Sequence, residues 1–147
     1  MYQFRMGNDM RISAQISNSG GNNKVNLQTG EHSHSINISP KPDGRGSSVN
    51  GGELLFLALA TCYCNDIYRE ARKRGIEVEG VEVDVTGHFG NEGEPASEIS
   101  YSAAVSAKAP REMILDLMRH TDSVAEIHNT LRCSSSVVLS HCEAREV

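Results

Sequence analysis

An α+β fold with antiparallel strand pairing is what this sequence of 147 residues predicts, on three observations. Apolar and polar residues alternate in two blocks, within residues 10–40 and 77–108, which is the period of half-buried strands. Segments with helical start and stop signals lie between and after these blocks, over residues 51–75 and 110–131. The order of strands, helix, strands, helices and a final strand does not alternate as parallel βαβ units do. One domain, residues 1–147, holds all of these elements, and the sequence carries no internal repeat.

The first block sets Ile12, Ala14 and Ile16, then Val25 and Leu27, then Ile36 and Ile38, between the turn segments NSGGNN and TGE. These read as short strands, the first two forming a hairpin. A loop rich in Gly, Ser and Pro, SPKPDGRGSSVNGG, leads to the first helix. Asn50 and Glu53 have capping-box spacing at its start, and Gly75 stops it. Arg69, Arg72, Lys73 and Arg74 suit the negative end of its dipole. Residues 54–60, LLFLALA, are apolar around the whole circumference, so this half is expected to be enclosed and the helix to be central. Val81, Val83 and Val85, then Ile99, Tyr101, Ala103, Val105 and Ala107, mark two strands joined by GNEGEP. Pro110 opens a second amphipathic helix that fades near His120. Ser123 and Glu126 have capping-box spacing for a third. SSSVVLS then reads as a final strand over residues 133–140.

Charge and composition exclude several classes. A net charge of −5 without a basic patch interleaved with aromatic residues argues against nucleic acid. The start, MYQFRMGNDM, lacks the unbroken apolar segment of an export signal, and the apolar run of the first helix is too short to span a membrane. A cytoplasmic protein with no membrane partner is the expectation. Four cysteines, Cys62, Cys64, Cys133 and Cys142, form a poor disulfide framework for a chain of this size, so free thiols are expected.

Residues two apart on a helix are rotated by about 200°, so Cys62 and Cys64 point to nearly opposite sides and cannot chelate one ion. Cys62 shares its stripe with Leu55, Ala58 and Asp66. Packing is the ordinary role of a cysteine in an apolar helix. A reactive thiol needs a cation or a helix N-terminus to favour the thiolate, and access for an oxidant. Arg69 lies on the face of Cys62 but about 10 Å along the axis, so an activating cation is expected from elsewhere in the fold. His32 and His34 fall on one side of a strand, about 7 Å apart, without an evident third ligand. His88, His120, His128 and His141 are scattered. No metal and no cofactor are expected.

The stretch GGELLFLALATC, followed by a polar helix half, the strand GIEVEGVEVDVTG and the late segment HTDSVAEIHNTL, resembles the OsmC/Ohr family of osmotically inducible and organic-hydroperoxide-resistance proteins. The resemblance runs from about Gly51 to Leu139 and is most specific at the E-L-L-x-x-A-L-A-x-C stretch. It implies antiparallel sheets around a central buried helix in an intertwined homodimer. It also implies that Cys62 is the peroxidatic thiol, oxidised to a sulfenic acid that a second cysteine captures.

Departures from the family pattern shape what else is implied. Gly51 and Gly52 stand where a proline and a first acid are common, leaving Glu53 as acid partner or helix cap. Ala125 and Glu126 stand where the family's second cysteine and its proline are usual. Cys133 is then the candidate resolving thiol, provided its strand brings it near Cys62. Arg11 and Arg45 are the candidate thiolate-stabilising cations, with nothing in the sequence to choose between them. Two functions stay open: a hydroperoxide reductase regenerated by a dithiol reductant, and a dimer that binds a small hydrophobic molecule in the cleft between subunits without catalysis.

Overall fold

The computed structural model describes residues 10–147 and divides into two compact units, Met1–Leu54 and Leu55–Val147. The stretch read as lacking an export signal, apart from Met10, lies outside the described residues. In the first unit, β1 (Ile12–Ser19), β2 (Asn22–Thr29) and β3 (His32–His34) form an antiparallel sheet in that order. Ile16 pairs with Val25 and Ala14 with Leu27. The hairpin turns through Gly20 and Gly21, both at positive φ (57° and 75°). That geometry suits the twist of the flanking strands, and only glycine adopts it freely. The third strand is His32–His34 rather than the segment around Ile36 and Ile38. The tight turn after Thr29 brings the chain back at once, so that Leu27 pairs with His34.

Helix α1 (Gly51–Lys73) opens on the capping box read from the sequence. The Glu53 amide donates to Asn50 Oδ1 at 2.8 Å, and the Asn50 amide to Glu53 Oε1 at 3.1 Å. It ends just before Gly75, whose φ of 66° closes the helix.

The second unit packs the rest of α1 against an antiparallel ribbon, β4 (Glu77–His88) and β5 (Ser97–Lys108), and against α2 (Arg111–Val124). In the ribbon Val81 faces Val105, Val83 faces Ala103 and Val85 faces Tyr101. The valines and their partners turn half-buried side chains inward while Glu82, Asp84 and Thr86 stay exposed. This is the alternation expected of a sheet with one wet face. Tyr63, Ile67, Ala71, Ile76 and Leu117 form the core. The Tyr63 hydroxyl donates to the Met118 carbonyl at 2.9 Å, tying α1 to α2.

Four expectations change. Burial on α1 falls on its C-terminal half, at Tyr63, Asp66, Ile67, Glu70 and Ala71, whereas Leu57 is 60% exposed and Leu59 is buried. One ribbon and two short helices cover a single side of α1, so its apolar start is not enclosed within the unit. Helix α2 does not fade near His120 but continues to Val124. The Ser123–Glu126 capping box does not form, because Ser123 remains helical and its hydroxyl donates back to the His120 carbonyl at 2.6 Å. The helix breaks instead at buried Ala125, and α3 (Glu126–Arg132) follows without a side-chain cap. The expected strand over 133–140 is absent: Val137, Val138 and Leu139 are 95%, 77% and 83% exposed. Among the described residues, β4 and β5 pair only with each other, and residues 133–140 add no strand to either edge.

Leu117 is fully buried under the ribbon. Leu117→Ala should cost about 2–5 kcal/mol of stability, read as a lowered midpoint of denaturant unfolding; an unchanged midpoint contradicts this account of the core.

Candidate functional site

Cys62 lies midway along α1, half-buried, with a free thiol. One helical turn later, on the same face, comes Asp66, and the thiol donates to Asp66 Oδ2 at 3.5 Å. Helix α3 brings a second carboxylate across, with Glu126 Oε2 at 3.9 Å from the sulfur. Arg69 spans both acids. Its Nη1 stands 3.1 Å from Asp66 Oδ1 and 2.7 Å from Glu126 Oε1, while Nε donates to Glu70 Oε1 at 2.9 Å. Glu70 is itself 4% exposed and also meets Lys73 at 3.0 Å and His120 Nε2 at 3.2 Å.

These surroundings set the protonation states. Burial pushes the Cys62 thiol above its ordinary value, and the neighbouring Asp66 and Glu126 add to the effect, while the Ile127 backbone amide acts in the opposite direction. Burial also raises the Asp66 carboxyl, helped by Glu126, with Arg69 opposing. Burial disfavours ionised Glu126 as well, but its hydrogen bonds, including those to Asp66 and Arg69, leave its pKa below the usual range. Of the two acids, Asp66 is the one whose protonated form these surroundings favour. Lys73 and Arg69 depress Glu70 to about 2. The sulfur is therefore surrounded by proton acceptors, and the guanidinium reaches it only through them.

Ligand atoms of Cys62, Asp66 and Glu126 lie within 4.8 Å of one another, a spacing that suits a cation. Arg69 already provides that positive charge to both carboxylates.

The other residues singled out from the sequence lie elsewhere. The Glu53 carboxylate serves the capping box of α1. Arg11 and Arg45 are exposed in the first unit, Arg11 just before β1 and Arg45 in the loop, where its amide donates to Asp43 Oδ1 at 2.9 Å. Cys133 caps α3, exposed and free, and the strand that was to carry it inward does not form. Cys64 borders a shallow depression with Thr61, Val81 and Val83, on a different side of α1 from the Cys62 cluster.

Sequence reasoning placed Asp66 and Arg69 on the stripe of Cys62 but gave them no role there. It read Glu126 as a cap and His128 as one of several scattered histidines. The i, i+4 spacing of Cys62 and Asp66 was the available signal for the first contact. Nothing local signalled Glu126, which arrives from 64 residues away.

The fold agrees with what comparison shows. A family model described as OsmC-like protein matches residues 44–140. The chain belongs to the OsmC-like family, and its mixed α/β architecture is that of OsmC-like structures. An OsmC-like protein from Mycoplasma pneumoniae superposes with a TM-score of 0.62 at 16% identity, over 86% of this chain and 90% of that one. An organic hydroperoxide resistance protein from Elizabethkingia anophelis gives 0.56 at 18% identity, over 84% and 89%. An OsmC-like protein of unknown function from Vibrio cholerae gives 0.54 at 15% identity, over 82% and 92%. No curated protein matches the sequence. Among the described residues, no helix is long and apolar enough to cross a membrane.

Carboxylates beside a thiol disfavour its ionised form, so removing one must favour it. Alkylation of Cys62 should accelerate with pH through a midpoint above that of a free thiol, and Glu126→Gln should move that midpoint down. An unchanged midpoint in the variant contradicts the electrostatic account.

Proposed function

We propose that the protein acts on hydroperoxides through thiol redox chemistry, with Cys62 as the reacting group. The observation that carries this reading is a half-exposed thiol in contact with a carboxylate pair able to take its proton and deliver one. The Cys62 sulfur attacks the outer oxygen of the hydroperoxide and the O–O bond breaks. Sulfur is oxidised to a sulfenic acid, and the inner oxygen leaves as an alkoxide. The thiol proton passes to the Asp66–Glu126 pair, and a proton from that pair converts the alkoxide to an alcohol. A dithiol reductant then condenses with the sulfenic acid, releasing water, and its second thiol frees Cys62 from the mixed disulfide.

An external reductant fits better than an internal one, since Cys133 sits exposed at the end of α3. Arg69, rather than Arg11 or Arg45, is the cation of this mechanism, because it holds both carboxylates in place. Membership of the OsmC-like family and the hydroperoxide-resistance protein among its structural neighbours support the choice of oxidant. Four free cysteines suit a reducing compartment such as the cytoplasm.

A second reading rests on the raised thiol pKa. A sulfur kept protonated at neutral pH is a slow nucleophile, which favours a protein that binds a small hydrophobic molecule between subunits without turnover. Consumption of an alkyl hydroperoxide in the presence of a dithiol separates the two. The wild type should consume it and Cys62→Ser should fall to the rate of buffer alone; equal rates in both proteins remove the enzymatic reading.

Either function involves a homodimer. Leu57, Phe89 and Met113 of the second unit are 60%, 54% and 48% exposed, and large apolar side chains so exposed mark surfaces that a partner covers. Sedimentation at micromolar concentration should return twice the mass of the chain, and a stable monomer contradicts the dimer.

A further inference from the structure

Away from Cys62, the second unit holds a pocket of about 230 Å³ between α1, the ribbon and α3. Leu59, Val85, Ile99 and Leu131 give it apolar walls, and His128 and Arg132 supply its polar groups. His128 is only 4% exposed, yet neither ring nitrogen has a hydrogen-bond partner among the described residues. Its ring is held by aromatic contacts alone. Tyr101, which also lines the pocket, meets it edge-on at 4.7 Å between centroids, and Tyr63 lies at 6.1 Å. A buried imidazole with donor and acceptor both unmet is costly, and this one borders a space able to hold a molecule that would meet one of them.

The charges around the pocket limit what that molecule is. Arg132 Nη2 pairs with Asp122 Oδ1 at 2.7 Å, and the Tyr101 hydroxyl donates to the same carboxylate. Burial, followed by the proximity of Arg132, holds the His128 pKa below its ordinary value, so the ring is uncharged at neutral pH. With the arginine engaged by Asp122 and the imidazole neutral, the lining offers no unpaired charge to a carboxylate or an ammonium group. A neutral ligand suits it.

A hydroxyl is the neutral group that serves either ring nitrogen. It donates to the bare one or accepts from the protonated one, whereas a carbonyl serves only the latter. Size follows from comparison with a dry apolar cavity: about 150 Å³ takes benzene, so this pocket has room for roughly ten non-hydrogen atoms.

We propose that this pocket binds a small neutral molecule with an apolar body and a single hydroxyl, a phenol or an alkanol, whose hydroxyl hydrogen-bonds His128. Leu59, Val85, Ile99 and Leu131 bury the body and Tyr101 stacks beside it. The site requires nothing of Cys62 and stands whether or not the thiol reacts with hydroperoxides.

Calorimetric titration of the full chain with 4-propylphenol, propylbenzene and 4-propylbenzoate tests it, with ¹⁵N NMR of the imidazole as second readout. The phenol should bind and shift a His128 ring-nitrogen signal. Propylbenzene, which leaves the ring unmet, should bind at least about tenfold more weakly, and the benzoate should also be weaker. His128→Phe should erase the preference for phenol over hydrocarbon. Ile99→Trp, which fills the pocket without altering the ring, should abolish binding of both while the circular dichroism spectrum is unchanged, so the proposal stays testable if the histidine variant does not fold. Equal affinity for phenol and propylbenzene, tighter binding of the benzoate, an unmoved His128 signal at saturation, or no binding at about 1 mM phenol would each overturn it.

Discussion

Two acids on the inward face of one helix have to be accommodated for that helix to pack, and one guanidinium contacts both while Lys73 shares the second. Asp66 and Glu70 are 6% and 4% exposed on α1, and acids are almost never buried to this extent unless paired. Arg69 stands three residues after the first and one before the second. Its planar fork reaches Glu70 through Nε and Asp66 through Nη1, a division of donors that a lysine's single ammonium could not reproduce. The same Nη1 continues to Glu126, so the ion pairs that permit α1 to be buried also fix where α3 begins. Without Arg69, two buried acids would lose their shared counter-charge and α3 its anchor, the situation in which a buried charge becomes strongly destabilising.

That solution to a packing problem decides the chemistry of the sulfur. Arg69 spends its donors on carboxylates, so the carboxylates, and not the guanidinium, face Cys62. The outcome is a protonated thiol with acceptors at hand rather than a bare thiolate beside a cation. Glu126 supplies one of the acids, and Ala125 is fully buried at the break between α2 and α3. A small apolar residue at that break lets the chain turn sharply enough for Glu126 to reach α1.

The sequence carried β1, β2, β4, β5 and α1 openly because their signals are local. Alternation at Val81, Val83 and Val85 and at Tyr101, Ala103 and Val105 became an antiparallel ribbon, and Asn50 with Glu53 closed the box their spacing implied. Local signals also misled. Ser123 and Glu126 have the same spacing as that box, but Ser123 was held inside α2 by its own back-bond while Glu126 was claimed by Arg69. SSSVVLS has the composition of a strand but adds no strand to either sheet. Of the site, the half on α1 was legible from the i, i+4 spacing of Cys62 and Asp66. The half on α3 depends on a tertiary contact that no window of sequence contains.

Helical geometry explains how one short element serves two separate places. On α1, Leu59 and Tyr63 share one stripe, and Cys62 and Asp66 share another about 60° round the helix. On α3, Glu126 and His128 are two residues apart and so point to nearly opposite sides. Glu126 turns to the thiol, and His128 turns to Tyr63, Tyr101 and the apolar pocket. Ion pairs hold α3 at both ends, Glu126 to Arg69 and Arg132 to Asp122. A helix of seven residues clamped at its first and last positions has little freedom to turn. Any rotation that drew Glu126 away from Cys62 would carry His128 out of its aromatic contacts, so the two places keep or lose their geometry together.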